Sequence, residues 1–227
     1  MVSLITEGHS TDRNGKPFRR RRVLPIVAVL AVLAVLGGAV WIKVFTTTDA
    51  TTAAVSCNPP QPSSDPNAPA PAPLGTEVDP ASLQDVQPAP LSATRVRVFN
   101  ANGQGGQAAH IAAQLSDFGF ASAPDVQVGN DPVYVDQNLQ CQGQIRFGEN
   151  GRAAAETVAL VAPCSELIQD GRTDDTVDLA LGTYAVADLQ PNPDAQEVLR
   201  SLADTPQGAQ PAPLDLDLLG AARVSRC

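Results

Sequence analysis

The run "GQGGQA", residues 103–108, matches G-x-G-x-x-A between an apolar alternating stretch and an Ala-rich amphipathic one. In that context glycines let the backbone approach an anion, and the start of a helix offers unpaired N–H groups. Nucleotide chemistry is disfavoured all the same. Only one β-α-β unit follows the pattern before it turns hairpin-like, and no Lys occurs beyond Lys43 to hold a phosphate. A tight left-handed turn into a helix accounts for the glycines without a ligand. The functional reading left open is an anion or sugar at Asn100, Asn102, Gly103, Gly105 and Gly106.

Other reactive side chains are few. Cys57, Cys141, Cys164 and Cys227 are an even set without a C-x-x-C, and there are only two His, His9 and His110. Zinc ligation is therefore not expected, and no metal or cofactor is called for. Asp170, Asp174, Asp175 and Asp178 offer oxygen ligands for Ca²⁺, but their spacing lacks the EF-hand Gly and Glu, so a solvated loop is the expectation. His110 has no patterned Ser or Cys nucleophile beside it and reads as a surface or boundary residue. No carboxylate pair stands out as an acid/base couple.

The compartment decides what the cysteines do. Residues 23–42, "VLPIVAVLAVLAVLGGAVWI", carry no charge, and twenty residues of helix span roughly 30 Å, the thickness of a bilayer core. Residues 1–22 hold six basic residues against two acidic ones, whereas residues 44–227 hold eight Arg and 22 acids. The positive-inside rule then predicts a single-pass anchor with a cytoplasmic basic tail, 1–22, and an extracytoplasmic remainder. The alternatives are a cleaved signal peptide, though the apolar run is long and no A-x-A-like site closely follows it, and lipidation at Cys57 in "AVSC". An acidic body argues against nucleic acid, which needs clustered Lys and Arg. An oxidising outer space favours two disulfides.

Residues 43–93 read as a Thr/Pro-rich extracytoplasmic linker. Ten prolines in 58–90 favour polyproline II, which buries no core and reaches roughly 100 Å. The folded domain is expected at 94–204, with strands at 95–100, 125–129, 140–148 and 176–182 and helices at 105–118, 150–163 and 193–203. Residues 165–175 read as a polar loop and 205–227 as a tail. The order predicts an α+β domain, a small βαββαβ ferredoxin-like sheet covered on one face by two helices.

This topology brings the C-terminal end of the second helix, Cys164, back to the start of the strand at Cys141, so Cys141–Cys164 is the expected bond. Cys57 and Cys227 then either close a loop of about 170 residues, worth roughly 5 kcal/mol in the entropic account, or stay free or pair between chains.

The ordered run "VRVFN" 96–100, "ANGQGG" 101–106, "QAAHIAAQLSDFGF" 107–120, "QIRFGENGRAAAETVALVA" 144–162 and "VDLALG" 177–182 resembles the LytR C-terminal domain family. In that family the domain commonly follows a LytR-CpsA-Psr enzyme, which joins glycopolymers to peptidoglycan; no such enzyme precedes it here. A membrane helix with one isolated, four-cysteine domain looks like an actinobacterial subgroup. The resemblance implies a non-catalytic role in cell envelope integrity, with cell-wall glycan or wall-assembly proteins as partners. It offers no catalytic residues to carry over. The rival readings are an accessory subunit of a glycopolymer ligase, acting by protein contact, and a hydrolase or transferase of wall precursors.

Overall fold

The computed structural model describes residues 24–46, 56–206, 208–209, 212–224 and 227. They fall in two compact units, Met1–Thr48 and Asp49–Cys227. The basic tail 1–22 lies outside the described residues.

The described residues of the first unit form one helix, α1 (Leu24–Thr46), with no acidic residue in its first turn. Its aliphatic side chains from Ile26 to Leu36 stand exposed. Among the described residues no helix is long and apolar enough to cross a membrane.

The second unit is a mixed sheet with helices on one face. Its strands are β1 (Thr76–Glu77), β2 (Arg95–Asn100), β3 (Ala121–Ser122), β4 (Val128–Asn130), β5 (Gly143–Phe147), β6 (Glu166–Gln169) and β7 (Val177–Leu181). Its helices are α2 (Gln107–Phe118), α3 (Arg152–Ala159), α4 (Pro193–Ala203) and α5 (Leu216–Ala222). The strand order is β1-β6-β5-β7-β2-β3, with β4 also on β2. β2 runs parallel to β3, β4 and β7, and β5 runs parallel to β6 but antiparallel to β7.

The α+β class holds, but the four-stranded ferredoxin-like order does not. That order would set β2 beside β5; here β7 separates them. The cause is β6, a strand inside the expected polar loop 165–175. Only four residues long, it has no periodicity of its own, and its partners come from β5 and β1. α3 therefore closes a parallel β5-α3-β6 unit, and the next strand inserts at the centre.

Of the expected strand 125–129 only the end is a strand, β4; β3 lies ahead of it, and the two pair with successive parts of β2. Pro124 sits between them, and proline has no N–H for a ladder. The second helix is also shorter than 150–163: a 3-10 turn, Glu149–Gly151, precedes it, and turns replace it before Pro163.

Alternation along the strands gives the sheet two unlike faces. Val98, Ile145, Phe147, Leu179 and Leu181 turn toward the helices and join Ile111, Leu115, Val158, Val198 and Leu202 in the larger core. The other face carries Arg97, Gln144, Arg146 and Asp178, with a smaller cluster built on Phe99, Ala180, Tyr134, Leu139 and Cys141.

Among the described residues no helix covers this second face; the supposed linker does. Leu74 packs on the smaller cluster. β1 pairs with β6, and the Ala72 N–H donates to the Pro132 carbonyl at 2.9 Å. Further on, Leu83 and Leu91 sit in the larger core, each 1% exposed. Residues 57–93 are thus part of the domain and not an extended tether. Proline removes backbone donors but leaves carbonyls and apolar side chains, and Leu74, Val78, Leu83, Val86 and Leu91 each find a place at no regular spacing. The C-terminal tail is built in too: Leu219 and Ala222 of α5 are buried.

Candidate functional site

The glycine turn folds as a self-contained loop. The Asn100 side-chain oxygen accepts from the N–H groups of Asn102 and Gly103 at 3.1 and 3.0 Å, and its amide donates to the Gln104 carbonyl at 3.1 Å. Asn102 donates to the Gly182 carbonyl at 2.6 Å and to the Gln107 side chain at 2.7 Å. Gly103 and Gly106 have φ of 76° and 84°, conformations that favour glycine. A Cβ on Gly105 or Gly106 would meet nothing within 4 Å. The two Asn side chains expected at a ligand turn are therefore spent on the turn itself and on residue 182.

What the turn does is fasten a second loop, 182–192. Gln107 donates weakly to the Ala185 and Val186 carbonyls, both at 3.5 Å. One turn on, His110 and Gln114 meet the Asp188 carboxylate at 2.9 and 2.6 Å, and the Gln114 oxygen accepts from the Leu189 N–H at 2.7 Å. Hydrogen bonds from His110 and then Gln114 hold the exposed Asp188 carboxyl below the ordinary range. His110 is an exposed tether on α2, at the surface as expected.

The loop so fastened is one wall of a cavity of about 710 Å³. Leu179 and Leu181 of β7, Ile111 of α2, and Leu160 and Val161 line it, with Ala222 and Val224 at the C-terminus. Sequence reasoning missed it, because its walls come from stretches far apart in the chain. The nearest signal was Asn102, whose partner residue 182 begins the wall.

On the other sheet face, Arg146 is buried, with its side chain 2% exposed. It donates to Asp131 at 2.8 Å and to the Gln144 oxygen at 3.1 and 2.9 Å. Gln144 donates to Glu166 at 2.7 Å. Asp131 also accepts from the N–H groups of Val133 and Tyr134, both at 2.7 Å, and Arg146 lies 5.7 Å from the Tyr134 ring centroid. The segment at Cys57 and Asn58 joins the set: Tyr134 donates to the Asn58 carbonyl at 2.5 Å, and the Cys57 N–H to Glu166 at 3.3 Å. Burial pushes the Tyr134 hydroxyl upward, against the Gln144 hydrogen bond and the Arg146 charge.

The Asp cluster holds arginines and turns. Asp178, 4% exposed, takes Arg97 and Arg172; Asp170 takes Arg172, and Asp175 takes Arg95. Asp174 accepts from Thr176. Asp178 is thus a buried ion-pair partner and not part of a solvated loop. Among the described residues no three His, Cys, Asp or Glu are placed to hold a metal ion.

All four cysteines are bonded, but not as expected. The pairs are Cys57–Cys141 and Cys164–Cys227, with Cα–Cα distances of 4.9 and 5.4 Å. The start of β6 does lie beside the start of β5, Gln144 opposite Glu166. Cys141, however, belongs to the cluster on the polar face, and Cys164 lines the cavity on the helix face. A sheet lies between them. Cys141 pairs instead with Cys57, ahead of the proline-rich stretch, and Cys164 with Cys227 at the C-terminus.

Fold and sequence together define a small α+β domain closed by two disulfides. Residues 93–184 match the family model described as LytR cell envelope-related transcriptional attenuator. A "Cell envelope integrity protein Cei" from Mycobacterium tuberculosis is 44% identical over 227 residues, covering 100% of both chains. The chain therefore belongs to the LytR C-terminal domain family, among relatives of that protein. A crystal structure of the soluble domain of a conserved hypothetical secreted protein from Mycobacterium marinum is similar as well, with 49% identity and a TM-score of 0.60. It covers 68% of this chain and 99% of the solved one.

Proposed function

We propose that the protein is a non-catalytic, membrane-anchored component of the cell envelope. It supports envelope integrity by holding a disulfide-closed domain outside the membrane, where cell-wall glycan or wall-assembly proteins engage it. The observation that carries this reading is the pair of bonds Cys57–Cys141 and Cys164–Cys227, since such bonds persist in oxidising compartments. The uncharged sequence run 23–42 is the anchor in this reading. The basic tail 1–22 stays in the cytoplasm by the positive-inside rule. The full-length relative named for cell envelope integrity supports the role, and the secreted relative whose soluble domain was crystallised supports the location.

Two experiments test it. Cysteine-accessibility labelling in intact cells, with a cysteine added at residue 5 or at residue 208, should modify only the second from outside; the reverse pattern removes the anchor topology. Purified 49–227 should sediment with insoluble wall material. If it stays in the supernatant while a glycopolymer ligase co-purifies with the full-length chain, contact with the ligase replaces direct glycan binding.

A further inference from the structure

We infer that the cavity on the helix face is a binding site for the single aliphatic chain of an uncharged amphiphile, such as an acylglycerol or a lipid-linked neutral sugar. This goes beyond the envelope role and does not depend on which wall component the domain engages.

The shape and chemistry of the cavity carry the inference. About 710 Å³ lies in the range of small-molecule sites, which are concave and mostly apolar with a few placed polar groups. The floor is Leu179 and Leu181, and Ile111, Leu160 and Leu189 stand around it. The apolar surface continues outward: Val186 and Val224, both lining residues, are 51% and 68% exposed. Such a rim has its solvation cost lowered when a chain slides over it.

Polar groups without internal work sit at one end. Gln142 and Ser165 line the cavity half-buried, and neither side chain has a hydrogen-bond partner among the described residues. They can serve one hydroxylated head group. Among the described residues no Lys or Arg lines the space, and the one charged lining residue is Asp188, so phosphate or carboxylate finds no counter-charge from them. A peptide strand fits less well, because its backbone N–H and C=O groups need partners along their whole length and aliphatic walls offer none. The wall formed by 182–192 is held from outside by Asn102, Gln107 and Gln114, which keeps the space open without a ligand inside.

The test uses 49–227, the compact outer unit, oxidised, with 1-decanoylglycerol below its micelle concentration as the probe. Native mass spectrometry should show a one-to-one adduct. Methyl NMR shifts should concentrate on Ile111, Leu160 and Leu179. Decanoate should bind at least tenfold more weakly. Val186→Arg, at an exposed rim position, and Ala185→Phe, which narrows the cavity, should each weaken binding at least tenfold with the melting temperature kept. Gln142→Ala should weaken the glycerol ester while leaving decanoate unchanged. Absence of a saturable adduct overturns the proposal, as does equal binding by folded Val186→Arg. It is also overturned if the unit proves to be a dimer that Val186→Arg converts to monomer, since a second copy would then be the occupant of the rim.

Discussion

The two faces of the sheet are held by opposite means. The helix face is a conventional apolar core, with Ile145, Phe147, Leu179 and Leu181 against α2, α3 and α4. The other face buries a cation and several acceptors, centred on Arg146, Asp131 and Gln144, under an extended segment that has no core of its own. Apolar burial is tolerant and roughly proportional to area. A buried network is stable only when complete, because each partner removed leaves a desolvated group behind. Here it is complete: among the described residues no buried side-chain N or O lacks a partner. The proline-rich segment can cover this face because it brings carbonyls and a disulfide to polar side chains, which a helix could not do.

Urea unfolding of 49–227 orders the consequences. Breaking the clasp on the polar face should be the largest effect. Cys57→Ser with Cys141→Ser opens a loop with a sequence separation of 84, worth about 4–5 kcal/mol in the entropic account. It should also release residues 57–75 to proteolysis while α2–α4 remain protected. A uniform loss of protection would mean the two faces are not separable.

Arg146→Ala comes next, at about 4 kcal/mol, because it leaves Asp131 buried and uncompensated. The double variant Arg146→Met with Asp131→Asn should recover much of that loss. Leu179→Ala on the helix face should cost about 3 kcal/mol. If it costs more than Arg146→Ala, the contrast between the faces fails.

The smallest effect is electrostatic. Burial pushes the Glu166 carboxyl above the ordinary glutamate range, against the hydrogen bonds from Gln144 and the Cys57 N–H. The folded state therefore holds that proton more tightly than the unfolded chain. Its contribution to stability is present at low pH and is lost as pH rises through the raised value. Glu166→Gln removes that loss. The variant's melting temperature relative to the parent should rise between pH 4 and pH 7, by on the order of 2 °C for a half-exposed group. An unchanged difference across that range would show that Glu166 is not strained by the network.

Cys57 and the C-terminal stretch are fastened to different faces. Cys57 closes on the polar side. The C-terminal stretch closes on the helix side through Cys164–Cys227 and through Arg223, which donates to Glu156 at 2.6 Å and to the Gln84 carbonyl at 2.8 Å. Burial raises the Glu156 carboxyl, with the Arg223 hydrogen bond and charge opposing it, so Arg223 is the counterpart of Arg146 on this side.

Local pattern alone was enough for the strand at 95–100, the helix ending at Phe118, the strand near 177–181 and the helix at 193–203. In each, the spacing of apolar residues acts within a few residues. Tertiary structure decided the rest. β6 exists because two neighbours hydrogen-bond it. Leu83 and Leu91 are core because the sheet's edge leaves room for them. Arg146 and Asp178 are buried because their partners, Asp131 and Arg97, arrive from elsewhere in the chain. The cysteine partners depend on which side of a sheet each sulfur lies, and a sheet's order is set by long-range pairing that no local spacing encodes.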